Sequence, residues 1–265
     1  MIKGKYKRIV AYGCSFTAGD ELGDSQGLGI PEEKLDALKR SGTPRSQLHG
    51  NFAIRETCIK LGKELTWVRW LSDKYSIPYS NRAHAGGSLP QMVFRIERDY
   101  RTGLIKDDDL VLVGVTSMYR WFQFSEDGKE MTWVLGNAYK QIEEFNNSLI
   151  KHYINDYNIL WNYHLNLNYL EFLAKEKQNI KLFHALAPFS QEKTFNIKEE
   201  TLRTDFRNMI NSFKFTSFLD PEKGLAQLYS HIPEEEATHG YGHPKVKYQK
   251  EFANLLYAWI EEKVE

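Results

Sequence analysis

A serine directly after the first apolar segment is the first candidate for chemistry. Ser15 lies in the sequence GCSFTAGD (13–20), which follows the short apolar run at 8–12. Ligands of open α/β sheets bind beyond the carboxyl ends of the strands, so this position suits a nucleophile. The backbone N–H of a serine at such a turn can also stabilise an oxyanion. The same position suits a serine that only caps a helix, and this segment alone leaves both interpretations open.

A histidine near the other end of the chain supplies a candidate base. His243 lies in the glycine-rich sequence HGYGHP (239–244), just before the last amphipathic pattern. A serine nucleophile needs a base within hydrogen-bond reach, and histidine is the natural choice near neutral pH. The alternative is a surface histidine without a role. Ser15 and His243 together predict a nucleophile and its base, provided that both ends of the chain meet above one sheet.

Apolar runs and helical spacing predict the elements that must position these residues. The run at 110–115 is unbroken, which is typical of a parallel strand buried on both faces. Further strands are predicted at 8–12, 77–80, 180–186 and 215–219. One amphipathic helix is predicted from apolar residues at helical spacing, namely Leu61, Leu65, Val68, Leu71 and Tyr75. Other helices are expected at 32–40, 91–100, 158–178 and 244–263.

Strands that alternate with helices predict the fold class. The pattern indicates an α/β fold, a three-layer α/β/α sandwich with a mostly parallel, flavodoxin-like central sheet. Residues 1–265 are expected to form a single domain with an insertion at 20–50, which is polar and interrupted by Pro31 and Pro44. That insertion is expected to be either a cap over the cleft or a mobile loop.

Composition excludes several classes of protein. Lysine plus arginine equals aspartate plus glutamate at 35 each, so no overall field favours nucleic acid as a partner. No run approaches ~18 apolar residues, so no membrane partner is expected. Cys14 and Cys58 form no CxxC pair, which argues against a disulfide framework and is compatible with the expected cytoplasmic location.

Four segments, in order along the chain, resemble the blocks of the SGNH/GDSL hydrolase family. GCSFTAGD (13–20) resembles the first block, in its variant with Cys-Ser. NRAHAGGS (81–88) is similar to the second block, N-x-A-x-x-G-x-S, and places the oxyanion-hole glycine at Gly86. GVTS (114–117) lies where the family has G-x-x-N, and HP (243–244) before an amphipathic helix is similar to the last block.

The resemblance implies a serine hydrolase with catalytic residues Ser15, His243, Gly86 and Ser117. At two positions this sequence differs from the pattern of the family. Ser117 replaces the asparagine that donates to the oxyanion, so Thr116 or a water is expected to assist. Gly240 replaces the aspartate three residues before the histidine. The partner of His243 is therefore expected to be a backbone carbonyl or one of four side chains, namely His239, Glu234, Glu235 and Glu236.

Aromatic residues after the third strand bear on the substrate. Tyr119, Trp121, Phe122 and Phe124 are expected either to pack locally or to form a platform for a sugar ring or acyl chain. Thr116, Arg120 and Trp121 are the substrate-binding candidates, with Arg120 facing an anionic or hydroxyl-rich group. With the resemblance, these residues favour a small ester as substrate, an O-acetyl group on a carbohydrate or related metabolite.

Several alternatives remain beside this interpretation. Cys14 is expected to pack beneath the sheet rather than act as nucleophile. A metal site of His239, His243 and Glu236 is disfavoured by the glycines between the histidines, and neither a metal nor an organic cofactor is expected. Two other functions use the same fold: a binding protein that has lost its chemistry, and an acyltransferase that uses the same residues.

Overall fold

The computed structural model describes most of the chain. It covers residues 4–117, 120–134, 156–184, 227–229, 231–240 and 242–262, together with 200, 204, 205, 207, 208 and 211. The strand predicted at 215–219 lies outside these residues, as does Tyr119. For Trp121 only the backbone is described.

Six strands in the described residues form two sheets. They are β1 (Arg8–Tyr12), β2 (Tyr79–Asn81), β3 (Asp109–Val115), β4 (Arg120–Phe124), β5 (Glu130–Val134) and β6 (Ile180–His184). Four of them form a parallel sheet in the order β2-β1-β3-β6, and β4 pairs with β5 as an antiparallel hairpin. The predicted run at 110–115 is confirmed as β3, whose seven residues are all buried.

The described helices lie between and after these strands. They are α1 (Ser15–Ala18), α2 (Asp24–Leu28), α3 (Glu32–Arg40), α4 (Arg45–His49), α5 (Phe52–Glu64), α6 (Trp67–Tyr75), α7 (Leu89–Arg101), α8 (Asp156–Glu176), α9 (Glu234–Ala237) and α10 (Val246–Glu262). The short helix predicted at 32–40 is confirmed as α3. Among the described helices, none combines the length and apolar character needed to cross a membrane.

Side chains on the two faces of the sheet contact different helices. Tyr12 donates its hydroxyl to Asp99 Oδ2 of α7 at 2.6 Å. Phe183 of β6 lies on the opposite face, because successive strand residues alternate and its neighbour Leu182 is in register with Tyr12 through β3. It packs against Trp67 of α6 and Phe252 of α10, with ring centroids 5.4 and 5.5 Å apart. The predicted α/β/α sandwich is confirmed, and its strand order matches the flavodoxin-like arrangement.

The single helix predicted over 61–75 is wrong, because the chain breaks between α5 and α6. Thr66 is extended at this break, and the N–H of Trp67 donates to Gln249 Oε1 of α10 at 3.1 Å. On the α5 side, a Cβ at Gly62 would lie 2.3 Å from the carbonyl oxygen of Gly19. The two halves therefore pack against different parts of the chain, and one straight helix could not satisfy both contacts.

The aromatic residues after β3 belong to the hairpin. Phe122 and Phe124 pack against Phe94 of α7, with ring centroids 5.9 and 5.0 Å away, and lie 5.0 Å from each other. For these two residues the local-packing interpretation is confirmed.

Candidate active site

Ser15 lies at a tight turn from strand to helix. β1 ends at Tyr12 and α1 begins at Ser15, whose side chain is buried. A Cβ at Gly13 would lie 2.2 Å from Thr17 Oγ1, so only glycine allows α1 to pack this closely on the end of the strand. Cys14 is fully buried in the core, as expected for a packing residue.

The segment 81–88 is fastened to this turn at two points. The Asn81 side chain donates through Nδ2 to the carbonyl oxygen of Thr17 at 2.6 Å. The N–H of His84 donates to the carbonyl oxygen of Gly13 at 3.2 Å. These bonds hold the loop against both ends of α1, beside Ser15.

Gly86 lies at the tip of this loop with φ +78°, a left-handed conformation that favours glycine. The adjacent Gly87 donates its N–H to the carbonyl oxygen of His84 at 2.8 Å. Arg120, from β4, donates through Nη1 to the carbonyl oxygen of Gly87 at 2.9 Å. Arg120 therefore fixes the loop that carries Gly86, a contact that the sequence did not indicate.

Thr116 and Ser117 follow β3 at the same edge of the sheet, and both side chains are buried. The carbonyl oxygen of Thr116 accepts a hydrogen bond from the Tyr163 hydroxyl at 3.3 Å. Thr116 Oγ1 has no hydrogen-bond partner among the residues that the structure describes. A buried hydroxyl without a partner is uncommon, and it is compatible with a donor reserved for a bound molecule.

His243 lies against α1. Its ring centroid is 5.3 Å from that of Phe16, the residue after Ser15. Its Nδ1 lies 2.6 Å from Glu21 Oε2, and its backbone N–H donates to the same oxygen at 3.3 Å. Its Nε2 lies 3.9 Å from Asp20 Oδ2. The loop before α10 thus brings the imidazole to the helix that begins with Ser15.

The Nδ1 atom of His243 has a partner that was not among those expected from the sequence. His239 instead lies against Asp36, with Nδ1 3.4 Å from Oδ1. Glu235 and Glu236 are exposed, and the side chain of Glu234 lies outside the described residues. The observed partner is Glu21, which belongs to the segment taken as an insertion. No spacing rule in the sequence connects it to His243, 222 positions away.

A buried ionic network surrounds Glu21. Lys39 Nζ of α3 lies 2.8 Å from Glu21 Oε1 and 3.0 Å from Asp24 Oδ2, and all three side chains are fully buried. Arg45 of α4 binds Asp24 Oδ1 at 2.8 Å and also forms an ion pair with Asp20. These ion pairs therefore connect the three helices of residues 20–50 with one another. Glu21 connects the same network to His243.

The pKa values in this network follow from burial and from its charges. Burial alone would raise the pKa of Glu21, but the hydrogen bonds and charges of His243 and Lys39 outweigh it and lower that pKa to about 2. The pKa of Asp24 is also lowered, because Arg45 and Lys39 outweigh its burial. Burial would lower the pKa of Lys39, yet the two carboxylates raise it. All three groups are charged at neutral pH.

Acid is expected to unfold the protein through these carboxylates. Because the pKa of Glu21 is lower in the folded chain than in the unfolded chain, its stabilisation is complete above about pH 4.5 and is lost as pH falls toward 2. The loss amounts to about 3 kcal/mol for Glu21. Urea unfolding of wild type and Glu21→Gln across pH 6 to 2 should show stabilities that converge as pH falls. The exposed Glu33→Gln control should follow wild type, and a gap that persists at pH 2 would contradict the expectation.

Two groups of described residues place three potential metal-ligand atoms within 4.8 Å of one another, namely Asp24, His49 and Cys58, and Glu32, Asp36 and His239. In the first group, Asp24 already binds two basic side chains. In the second, Lys245 Nζ lies 3.7 Å from Glu32 Oε1 and 3.9 Å from Asp36 Oδ2. Positive side chains already balance these carboxylates, so neither group is offered as a metal site.

Comparisons with known proteins give structural likeness only. No protein-family model and no curated protein matches the sequence. The structure is similar to an alpha/beta hydrolase enzyme from the metagenome of Lake Arreo, Spain, at 11% identity and TM-score 0.45, covering 96% of this chain and 94% of that one. It is also similar to a member of the lipolytic protein G-D-S-L family from Veillonella parvula, at 11% identity and TM-score 0.42, covering 96% of each chain. A third similar structure is an acetylxylan esterase from Geobacillus stearothermophilus, at 13% identity and TM-score 0.44, covering 96% of this chain and 94% of that one.

Proposed function

We propose that this chain is an ester hydrolase of the SGNH/GDSL type, with Ser15 as nucleophile and His243 as base. The observation that carries the proposal is the position of His243, beside the helix that begins with Ser15 and with Nδ1 on a buried carboxylate. The order of the four motif segments along β1, β2, β3 and α10 supports it. We further propose a single domain over residues 1–265, in which 20–50 is an insertion that covers the cleft.

The mechanism follows the general logic of a serine nucleophile. When Nδ1–H donates to Glu21, Nε2 is left as the acceptor for the Ser15 proton. The Ser15 oxygen attacks the ester carbonyl, and the N–H groups of Ser15 and Gly86 stabilise the oxyanion, assisted by Ser117. His243 then protonates the leaving alcohol as the C–O bond breaks. Water, deprotonated by the same imidazole, hydrolyses the acyl-enzyme and releases the acid.

The proposed substrate is a small ester, an O-acetyl group on a carbohydrate or related metabolite. Thr116, Arg120 and Trp121 are the proposed substrate-binding residues. Thr116 offers a buried hydroxyl at the end of β3. Arg120 holds the Gly86 loop through one of its five N–H donors. Neither a metal nor an organic cofactor enters this mechanism.

Two measurements test this function: the rate of hydrolysis as the acyl chain is lengthened, and the molecule that receives the acyl group. The purified protein is expected to release p-nitrophenol from p-nitrophenyl acetate faster than from the butyrate and octanoate esters, and to release acetate from acetylated xylo-oligosaccharides. Acetate that appears on added alcohol instead of in solution would favour the acyltransferase. Binding of acetylated sugar without release of acetate would favour the binding protein and contradict the hydrolase.

A further inference from the structure

We propose that Glu21 is the positioning residue that orients His243, and that Lys39 holds the Glu21 carboxylate in place. This inference rests on the proposed function, because it assigns Glu21 the part of the aspartate that Gly240 replaces. Both residues come from the segment 20–50, which would then be part of the catalytic apparatus rather than only a cover.

Each oxygen of the Glu21 carboxylate has its own partner. Oε2 accepts from Nδ1 of His243 at 2.6 Å and from the backbone N–H of the same residue at 3.3 Å. Oε1 accepts from Lys39 Nζ at 2.8 Å. The Glu21 and Lys39 side chains are fully buried, so water does not compete for these bonds. A carboxylate bound at both oxygens cannot rotate, and it therefore fixes both the tautomer and the plane of the imidazole.

The packing of α3 excludes an acidic side chain at 240. A Cβ at Gly240 would lie 2.3 Å from Lys39 Cβ and 2.9 Å from the carbonyl oxygen of Asp36. The N–H of Gly240 donates to Asp36 Oδ1 at 3.1 Å, which holds the loop against this helix. The helix that delivers Lys39 thus occupies the space that an aspartate at 240 would need. The acid has to come from elsewhere, and Glu21 is the carboxylate that reaches His243 Nδ1.

The backbone of Glu21 is held in an unusual conformation. Its φ is +69°, in the left-handed region that residues other than glycine and asparagine seldom adopt. Such a conformation persists where the surrounding contacts over-determine it, and it is concentrated at functional sites. Here the contacts with His243 and Lys39 hold it, which agrees with a residue placed for its carboxylate.

The charges of the network around the pair do not cancel. Asp20, Glu21 and Asp24 contribute three negative charges, while Lys39 and Arg45 contribute two positive charges, so one negative charge remains in the network. Protonation of His243 during the reaction would balance that charge in a site of low dielectric. Among the described residues, the other titratable groups facing the network are His49 and Cys58, beside Asp24, and the neighbouring set of Asp36, Glu32, His239 and Lys245.

The test compares Glu21→Gln with Glu236→Gln, an exposed acid in the segment before His243. Active enzyme is first counted by titration with a fluorophosphonate, so that misfolded protein does not enter kcat. Glu21→Gln is expected to lower kcat for p-nitrophenyl acetate by about 10²–10⁴-fold with little change in KM, because the amide permits the wrong tautomer. The acid limb of its kcat/KM profile should differ from that of wild type, since the imidazole loses the carboxylate at Nδ1. Glu236→Gln should match wild type in both.

Two further variants keep the proposal open to failure. Glu21→Asp retains the charge beside Lys39 and should recover part of the lost kcat; it replaces Glu21→Gln if that variant does not fold. A Glu21→Gln enzyme with wild-type kcat and pH profile overturns the positioning role, and so does a Glu21→Asp enzyme whose kcat is no higher than that of Glu21→Gln. Ser15→Ala distinguishes failure of the proposed function from failure of the inference about Glu21. If Ser15→Ala is inactive while Glu21→Gln resembles wild type, only the inference about Glu21 fails. If Ser15→Ala itself retains activity, the proposed function fails.

Discussion

Replacing Ser15 by alanine is expected to lower kcat for p-nitrophenyl acetate by on the order of 10⁴-fold or more, because no other group takes over covalent attack. The residual rate should come only from binding and the oxyanion donors. Alanine fits the buried turn at the start of α1 without a new contact, so folding should be preserved. The measurement is initial velocity at saturating ester, with the far-ultraviolet circular dichroism spectrum as the check on folding.

The matched control for this prediction is Ser125→Ala. Ser125 lies in the turn between β4 and β5, and its side-chain hydrogen bonds within the described part of the chain go to neighbouring residues of that turn. Its replacement should leave kcat within about two-fold of wild type, since surface substitutions seldom affect more than their own contacts. Equal activities of Ser15→Ala and Ser125→Ala would remove Ser15 from the mechanism.

Replacing Lys39 by methionine is expected to destabilise the protein by about 3–5 kcal/mol, because it leaves Glu21 and Asp24 buried without their shared cation. The shape of the side chain is nearly retained, so the loss reports the charge rather than a cavity. The same variant should lower kcat, since the carboxylate that holds His243 loses one of its two anchors. The midpoint of urea unfolding at pH 7 measures the first effect.

Lys34 provides the control on the same helix. It is exposed on α3, so Lys34→Met should change the free energy of unfolding by less than about 0.5 kcal/mol. If Lys39→Met is as stable as Lys34→Met, the ionic network contributes no specific stability. In that case the anchoring of Glu21 by Lys39 would also lose its physical basis.

Much of the fold could be predicted from local patterns. The buried strand β3 was predicted from its unbroken apolar run. The last helix, α10, was predicted from an apolar stripe that includes Phe252. The break between α5 and α6 could not be predicted, because the cap of α6 is supplied by Gln249 from the other end of the chain. Periodicity reports which residues face the core, but it does not report where a helix must turn to meet a distant partner.

The candidate site was predictable where it depends on turns at strand ends. The positions of Ser15 after β1, Gly86 after β2 and Ser117 after β3 agree with the predicted strands. Glu21 was missed because its role depends on a contact between segments 222 positions apart. One signal was present: Gly240 stands where an acid was expected, and its missing side chain makes room for α3.

The most direct test of the account is to find which residue reacts with a fluorophosphonate. After labelling at pH 7 and proteolysis, mass spectrometry is predicted to place the adduct on Ser15, and labelling should be strongly slowed in His243→Ala. The exposed His231→Ala is the control and should label at the wild-type rate. An unlabelled wild-type protein, or an adduct on another residue, would contradict the assignment of Ser15 as nucleophile.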